Sequence, residues 1–300
     1  MKLGLVLPQF TEDGSALLDF ARRAEALGYD GVFAFDHFFP PGTSPARPSF
    51  EAFTTLAAVA ASTERLHVGT LVARAVIRPA GMLAKMAASI HTASAGRMIL
   101  AIGSGDQIDE PEHRAFGLPQ PGLKERREVL EETVRAVRTL FAGEVWPGGD
   151  RVPRLTGPLV PRPDPPGGPP VWIGGRSTTV LEMAARVADG WNGWGIPVKE
   201  FGEKVRLLRE TAAERHVEPT WAGVALVGES DADARALLEA RRVNSPIEAD
   251  LWNGSAEAFA AHLSELAAVG ATWAIVQASG PSDRIDVIAS KAIALRGPAT

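Results

Sequence analysis

Asp36-His37 is the pair of residues best placed to do chemistry in this chain. It closes a short apolar run, Gly31-Val32-Phe33-Ala34-Phe35, and is followed by the rigid aromatic segment Phe38-Phe39-Pro40-Pro41. An imidazole in such surroundings can move a proton near neutral pH; a histidine held for structure by a neighbouring carbonyl is the plainer alternative. Gly103-Ser104-Gly105-Asp106 ends a second apolar run. Its glycines let the backbone approach a flat ligand, Ser104 offers a hydroxyl and Asp106 a carboxylate. His37 and Asp106 can then face one another across a pocket as an acid/base pair. Gly174-Gly175-Arg176-Ser177 combines exposed N–H groups, a helix start and a positive charge, which together make a phosphate cradle. A simple turn with Ser177 as helix cap competes with that reading. Neither the Gly-Lys-Ser/Thr of a P-loop nor the glycine spacing of a dinucleotide fingerprint is present.

Other chemistries are disfavoured. His37, His67, His91, His113, His216 and His262 form no His-x-His or His-Glu-x-x-His pair, and Asp109, Glu110 and His113, beside Pro111, read as a solvated loop cluster, so no metal site is expected. The absence of Cys removes disulfides, thiolate metal sites and a Cys nucleophile. A net charge of -5 with no basic block argues against a nucleic-acid partner. The first apolar run, Leu3–Leu7, is far too short to span a bilayer, which points away from a membrane and to the cytoplasm.

These residues must be positioned by regular elements. Leu3–Pro8 reads as a buried strand, Ser15 as a helix cap, Leu17, Phe20, Ala21, Ala24 and Leu27 as one helical face, and Gly28 as its C-cap. Gly31–Phe35 is the next strand, completing one βαβ unit. The unit repeats, with strands at Leu66–Ala73, Arg97–Ile102, Val171–Ile173, Gly190–Trp194, Trp221–Val227 and Trp273–Gln277. Helices are expected at Glu51–Ser62, Ala80–Ser94, Arg126–Phe141, Ser177–Ala188, Val198–Glu214, Ala256–Val269 and Asp283–Arg296, with another from Asp231 interrupted near Asn244-Ser245-Pro246. Eight strands alternating with helices predict a (β/α)8 TIM barrel formed as a single domain by residues 1–300, with a doubly wound sheet as runner-up. Gly143–Pro170 holds nine of the 23 prolines and reads as an insertion before strand 5, packed over the barrel with a short hairpin.

Barrel enzymes work at the C-terminal ends of their strands. That rule adds Gln9, Arg74, Asn192, Trp194, Glu229 and Gln277 to the candidates, and singles out Trp191 and Trp194 among seven Trp residues. Gln9, Phe38, Phe39, Trp194 and the insertion are expected to shape the substrate pocket.

The chain resembles the luciferase-like monooxygenase superfamily, and within it the branch using the deazaflavin coenzyme F420. The resemblance runs along nearly the whole chain, through Leu3–Gln9, Ala24–Gly31, Asp36-His37, Val68–Val72, Arg78-Pro79, Gly96–Leu100, Gly103–Asp106, Phe116–Pro119, Pro170–Gly175 and Ala184–Trp191. It implies a homodimeric barrel with the cofactor ring at the C-terminal mouth. Asp36 would then contact the cofactor, His37 would lie near the reacting carbon, and Gly69, Thr70 and Val72 would line the ring. A non-prolyl cis peptide is implied between Gly69 and Thr70. Ser104 and Gly105 would meet the cofactor, Asp106 would match a Glu that assists proton transfer in some relatives, and Gly174, Gly175, Arg176 and Ser177 would hold its phosphate. Pro41 departs from the pattern, standing where some F420 enzymes have Trp. The implied activity is hydride transfer between F420 and a small organic substrate. An FMN-dependent monooxygenase, a non-enzymatic flavin or F420 binder, and a glycosidase using Asp106 and Glu229 are the alternatives; the FMN branch more often shows Glu-His where this chain has Asp36-His37.

Overall fold

The computed structural model describes residues 1–293 except 42, 44 and 245–249, with the side chains of 107 and 242–244 also left aside. The strands are β1 (Lys2–Val6), β2 (Gly31–Ala34), β3 (His67–Thr70), β4 (Ala73–Arg74), β5 (Met98–Gly103), β6 (Val171–Gly174), β7 (Gly190–Trp194), β8 (Glu218–Gly228), β9 (Trp252–Ser255) and β10 (Trp273–Ala278). The helices are α1 (Gly14–Ala26), α2 (Ala52–Ser62), α3 (Ala80–Ala93), α4 (Glu110–Ala115), α5 (Leu123–Phe141), α6 (Thr178–Val187), α7 (Val198–Ala212), α8 (Asp231–Asn244), α9 (Ala256–Ala268) and α10 (Arg284–Ala292). Parallel pairing runs β1-β2-β3-β5-β6-β7-β8, and β10 closes the ring by pairing both β8 and β1. That closure makes a (β/α)8 barrel rather than an open doubly wound sheet. β4 extends the wall beside the end of β5, and β9 lies beside the end of β8. The break expected at Asn244-Ser245-Pro246 and the end of the last helix fall at or beyond the limits of the described residues. No helix among the described residues is long and apolar enough to cross a membrane.

Alternation along the strands builds two cores. Leu3, Leu5, Val32, Val68 and Leu100 face outward and join helix residues such as Leu17, Leu56, Leu83 and Leu130. Phe33, Ile99, Ala101, Trp172, Ala222, Trp273 and Ile275 point inward and fill the barrel. Phe33 dominates that interior: a Cβ on Gly4 would lie 2.8 Å from its ring, and one on Gly69 2.6 Å. Gly69, expected at the cofactor, makes room for Phe33. The cap of α1 is likewise corrected. Asp13, not Ser15, holds the first turn by accepting from the amides of Ser15 at 2.9 Å and Ala16 at 3.2 Å.

The insertion does not cover the mouth. Glu132 of α5 accepts from the amides of Asp150, Arg151 and Val152, and Trp146 bridges to Leu155 as an antiparallel pair. Leu155 then packs over Gly81, Lys85 reaches the Val160 carbonyl, and Asp164 donates to Thr92. The segment thus climbs and descends the outside of α3 and α5, and its prolines replace regular pairing with side-chain anchors.

His67 stands at the opposite, N-terminal end of the barrel, beside the Lys2 ammonium at 3.4 Å. Burial first, and the Lys2 charge second, push its pKa down to about 4 from 6.5. The unfolded chain therefore binds more protons between those values, and stability falls as pH drops through that window. Denaturation midpoints measured from pH 7 to 4 should decline, and His67→Gln should flatten part of the slope. An unchanged slope in that variant would remove His67 as a source.

Candidate active site at the barrel mouth

Phe35, Val72 and Trp194 are the partly exposed residues that top the interior core, and they form an apolar floor at the C-terminal mouth. Phe35 and Trp194 meet edge to face at 5.6 Å. A Cβ on Gly103 or Gly174 would lie 2.4 or 2.6 Å from Val72 methyl groups. These two glycines therefore make room for Val72, which in turn presents the surface, so Gly174 serves the floor indirectly. The cis peptide lies between Leu71 and Val72, not between Gly69 and Thr70. Thr70 is fully buried and its hydroxyl donates to the Ala101 carbonyl at 2.7 Å, accepting from the Ala101 amide at 3.0 Å. It ties β3 to β5, where a cofactor contact was expected. The irregular segment starts after this tie, two residues later than spacing from Arg78-Pro79 suggested.

Asp36 and His37 diverge in role. Asp36 is 2% exposed; its carboxylate takes both Arg78 guanidinium nitrogens, at 2.7 and 2.9 Å, and the Arg74 amide at 2.8 Å. With its oxygens engaged this way it anchors the loop, whereas a direct cofactor contact was expected. Arg78 also reaches Glu51 at 2.8 Å, joining the start of α2 to the strand ends. Gln9, expected at the substrate, is fully buried: its amide donates to the Phe35 and Phe50 carbonyls and accepts from the Phe35 amide at 2.6 Å. Polar character at a strand end was the signal, and backbone pinning is the use the fold makes of it. Phe39 is buried too, while Phe38 is partly exposed and packs on Phe116 at 4.8 Å.

His37 keeps 19% of its side chain accessible, and its Nδ1 lies 2.8 Å from Glu112 Oε2. The backbone beneath it is fixed by Ser49, whose hydroxyl donates to the His37 carbonyl at 2.7 Å. The buried carboxylate facing the imidazole is thus Glu112 of α4, with Asp109 farther off at 3.8 Å, where the sequence had suggested Asp106. Asp106 stands exposed on the rim, its amide donating to Asp109 at 2.7 Å. Glu112 also accepts from Arg74 Nη1 at 3.0 Å and from the Phe38 amide. Burial raises the Glu112 carboxyl, but the His37 hydrogen bond, the Arg74 charge and the Phe38 amide outweigh it and hold the group below the usual Glu range.

Sequence reasoning missed Glu112 because Pro111 was read as a loop marker. Pro is well tolerated in the first turn of a helix, and here it opens α4. Of the cluster read as solvated, Asp109 and His113 are buried and Glu110 is exposed, while the neighbouring Glu112 is buried. His37, Asp109 and Glu112 offer ligand atoms within 4.8 Å of one another, a grouping that could hold a cation. Arg74 already places its charge on the Glu112 oxygen such an ion would use, so the cluster reads as a proton-handling site. Arg74 itself is 3% exposed, and its Nε and Nη2 find no acceptor among the described residues.

Across the mouth, Gly174, Gly175 and Ser177 are partly exposed and Arg176 exposed. Ser177 caps α6, whose first amides have no acceptor within the helix. A Cβ on Gly175 would strike Val180 at 2.8 Å. Arg176, half exposed, pairs with Asp250 at 2.8 Å, and the Gly175 amide donates to the Asn192 carbonyl at 3.0 Å. Ser104 and Gly105 sit at the end of β5; Gly105, with φ 72°, lets the chain turn over the Asp109 carboxylate. Asn192 is buried and bonds Thr220, and Trp191 is core, stacked on Phe201.

The C-terminal mouth of this (β/α)8 barrel thus carries an apolar floor edged by a partly exposed imidazole hydrogen-bonded to a buried carboxylate. The chain belongs to the luciferase-like monooxygenase family, which its residues 1–289 match. It is 34% identical over 181 residues to an F420-dependent glucose-6-phosphate dehydrogenase from Beutenbergia cavernae, covering 58% of this chain and 51% of that protein. A namesake from Amycolatopsis mediterranei is 30% identical over 240 residues, covering 77% and 70%. The matched part of the chain thus spans about half the length of the first of these relatives. Among solved structures, an F420-dependent secondary alcohol dehydrogenase in complex with an F420-acetone adduct aligns with TM-score 0.83 at 18% identity, covering 98% and 99%. The monooxygenase RslO1 from Streptomyces bottropensis aligns with TM-score 0.77 at 22% identity, covering 99% and 100%. These two likenesses establish the shared fold.

Removing one partner of a buried ion pair leaves an uncompensated charge. Asp36→Ala should cost about 3–5 kcal/mol, measured by denaturant unfolding. A loss below about 1 kcal/mol, the scale of an exposed pair, would show that Arg78 does not depend on Asp36.

Proposed function

We propose that the protein is an F420-dependent oxidoreductase that transfers a hydride between the deazaflavin and a small hydroxyl- or carbonyl-bearing substrate. The observation carrying this reading is the floor of Phe35, Val72 and Trp194 with His37 at its edge. A planar deazaflavin suits such a floor. The turn at Gly174–Ser177 leads into α6, whose opening amides suit its phosphate, and the unpartnered donors of Arg74 suit carbonyl acceptors on a ring or substrate. When bound, F420 supplies the hydride-transferring carbon. The chain's own part is to hold the ring on Val72, keep substrate against Trp194 and Phe38, and move one proton at His37. Ser104 and Gly105 would border the ring, and Asp106 on the rim would meet the substrate's outer part. The F420-dependent dehydrogenases among the relatives favour an alcohol or sugar-like hydroxyl as the group oxidised. On family resemblance, the working form is a cytoplasmic homodimer.

Titration of the purified protein with F420 and FMN side by side tests the cofactor. Saturable F420 binding with weak or no FMN binding is expected; tight FMN binding alone would move the protein to oxygen-dependent flavin chemistry. His37→Ala should lower turnover by roughly 10²–10⁴-fold while F420 binding persists. Turnover near wild type in that variant would take the proton away from His37.

A further inference from the structure

We propose that Glu112 is a positioning residue that locks His37 as the Nδ1–H tautomer and so makes Nε2 the proton acceptor for a substrate hydroxyl. The inference rests on the oxidoreductase reading for its chemistry, but its geometry stands on the apo chain.

Glu112 is 2% exposed and surrounded by donors. Arg74 Nη1 donates to Oε2 at 3.0 Å, and the Phe38 amide donates to Oε1. A carboxylate so surrounded is ionised and can only accept. The 2.8 Å contact between its Oε2 and His37 Nδ1 therefore requires the proton to lie on Nδ1. In the neutral ring Nε2 then carries the lone pair, and the imidazole's own geometry turns Nε2 away from Glu112. His37 is the most accessible member of this cluster, at 19% against 4% for Asp109 and 2% for Glu112. Asp109 adds a second carboxylate oxygen at 3.8 Å from Nδ1, on the same side. Arg74 holds the Glu112 carboxylate, and Ser49 holds the His37 backbone from which the imidazole projects. The tautomer suits oxidation of a carbinol. The substrate O–H proton passes to Nε2, the C–H electron pair leaves as hydride to the deazaflavin, and the oxygen closes a C=O bond. The alcohol is oxidised and F420 reduced by two electrons, while Glu112 faces the imidazolium so formed. The reverse sequence reduces a carbonyl with the proton returned from Nε2.

The test reads the tautomer directly. The full chain, labelled with ¹⁵N-histidine and free of cofactor, is examined by NMR at a pH where its imidazoles are neutral, with His37→Gln identifying the His37 signals. A proton coupled to Nδ1 and none to Nε2 is expected. A proton resident on Nε2 in the wild type overturns the proposal without any variant needing to fold. Glu112→Gln, checked for native circular dichroism, should lose the single tautomer and drop kcat by about 10²–10⁴-fold, with KM and the F420 dissociation constant little changed. Unchanged tautomer and kcat in that variant also overturn it. Failure to bind F420, by contrast, strikes the oxidoreductase reading and leaves the tautomer measurement intact.

Discussion

Two buried guanidinium–carboxylate pairs, Asp36 with Arg78 and Glu112 with Arg74, hold the mouth of this barrel together. Strand register fixes the wall only as far as the last ladder bond, and the catalytic candidates lie just beyond it. Charges withdrawn from water at such cost are tolerated only where each is hydrogen-bonded several times over. Asp36 satisfies this with three donors, and Glu112 with Arg74, His37 and Phe38. The two networks touch through Arg74, whose amide serves Asp36 while its side chain serves Glu112. One residue of β4 thereby couples the loop after β2 to the helix after β5.

Beneath these charges the interior supplies rigidity by volume. Phe33 fits because Gly4 and Gly69 on the flanking strands have no Cβ, and Val72 reaches the mouth because Gly103 and Gly174 have none. Close packing of this kind transmits position: a floor residue wedged between two backbones cannot settle lower or tilt. The glycines that look like ligand-binding glycines thus act one layer down, by placing the side chain a ligand would meet.

That layering explains what the sequence made legible. The eight barrel strands and the helices between them follow from apolar runs and helical periodicity, which are local signals, and β10 pairing with β1 completes what alternation implied. The rule that strand ends bear the chemistry picked out His37 and Trp194, and the structure places both, partly exposed, at the mouth. It also pointed to Gln9, whose amide finishes the hydrogen bonding of a buried strand end, as does the hydroxyl of Thr70, a residue suggested by the resemblance. It overlooked Glu112, which lies on a short helix and meets His37 only through a contact spanning 75 residues. Arg176 likewise gains a partner that spacing does not show, since Asp250, 74 residues away, meets its Nη1 at 2.8 Å. Spacing reports neighbours along the chain; ion pairs between separate βα loops leave no periodic trace.

The position of Glu112 also ties the partner of His37 to the rim of the mouth. α4 carries Glu112 on its buried side and runs into Phe116, which is 54% exposed and packs on Phe38 at the rim. Ile108, 51% exposed, stands on the turn just before the same helix. The exposed rim beside Phe38 and the carboxylate hydrogen-bonded to His37 therefore belong to one short element. A change at the rim that shifts α4 by even a fraction of an ångström also shifts Glu112 against a hydrogen bond whose strength depends on distance and angle. Substitutions of Phe116 that preserve the α4 backbone can retune the pocket, whereas insertions between Gly105 and Phe116 would move the rim and the proton-handling pair together.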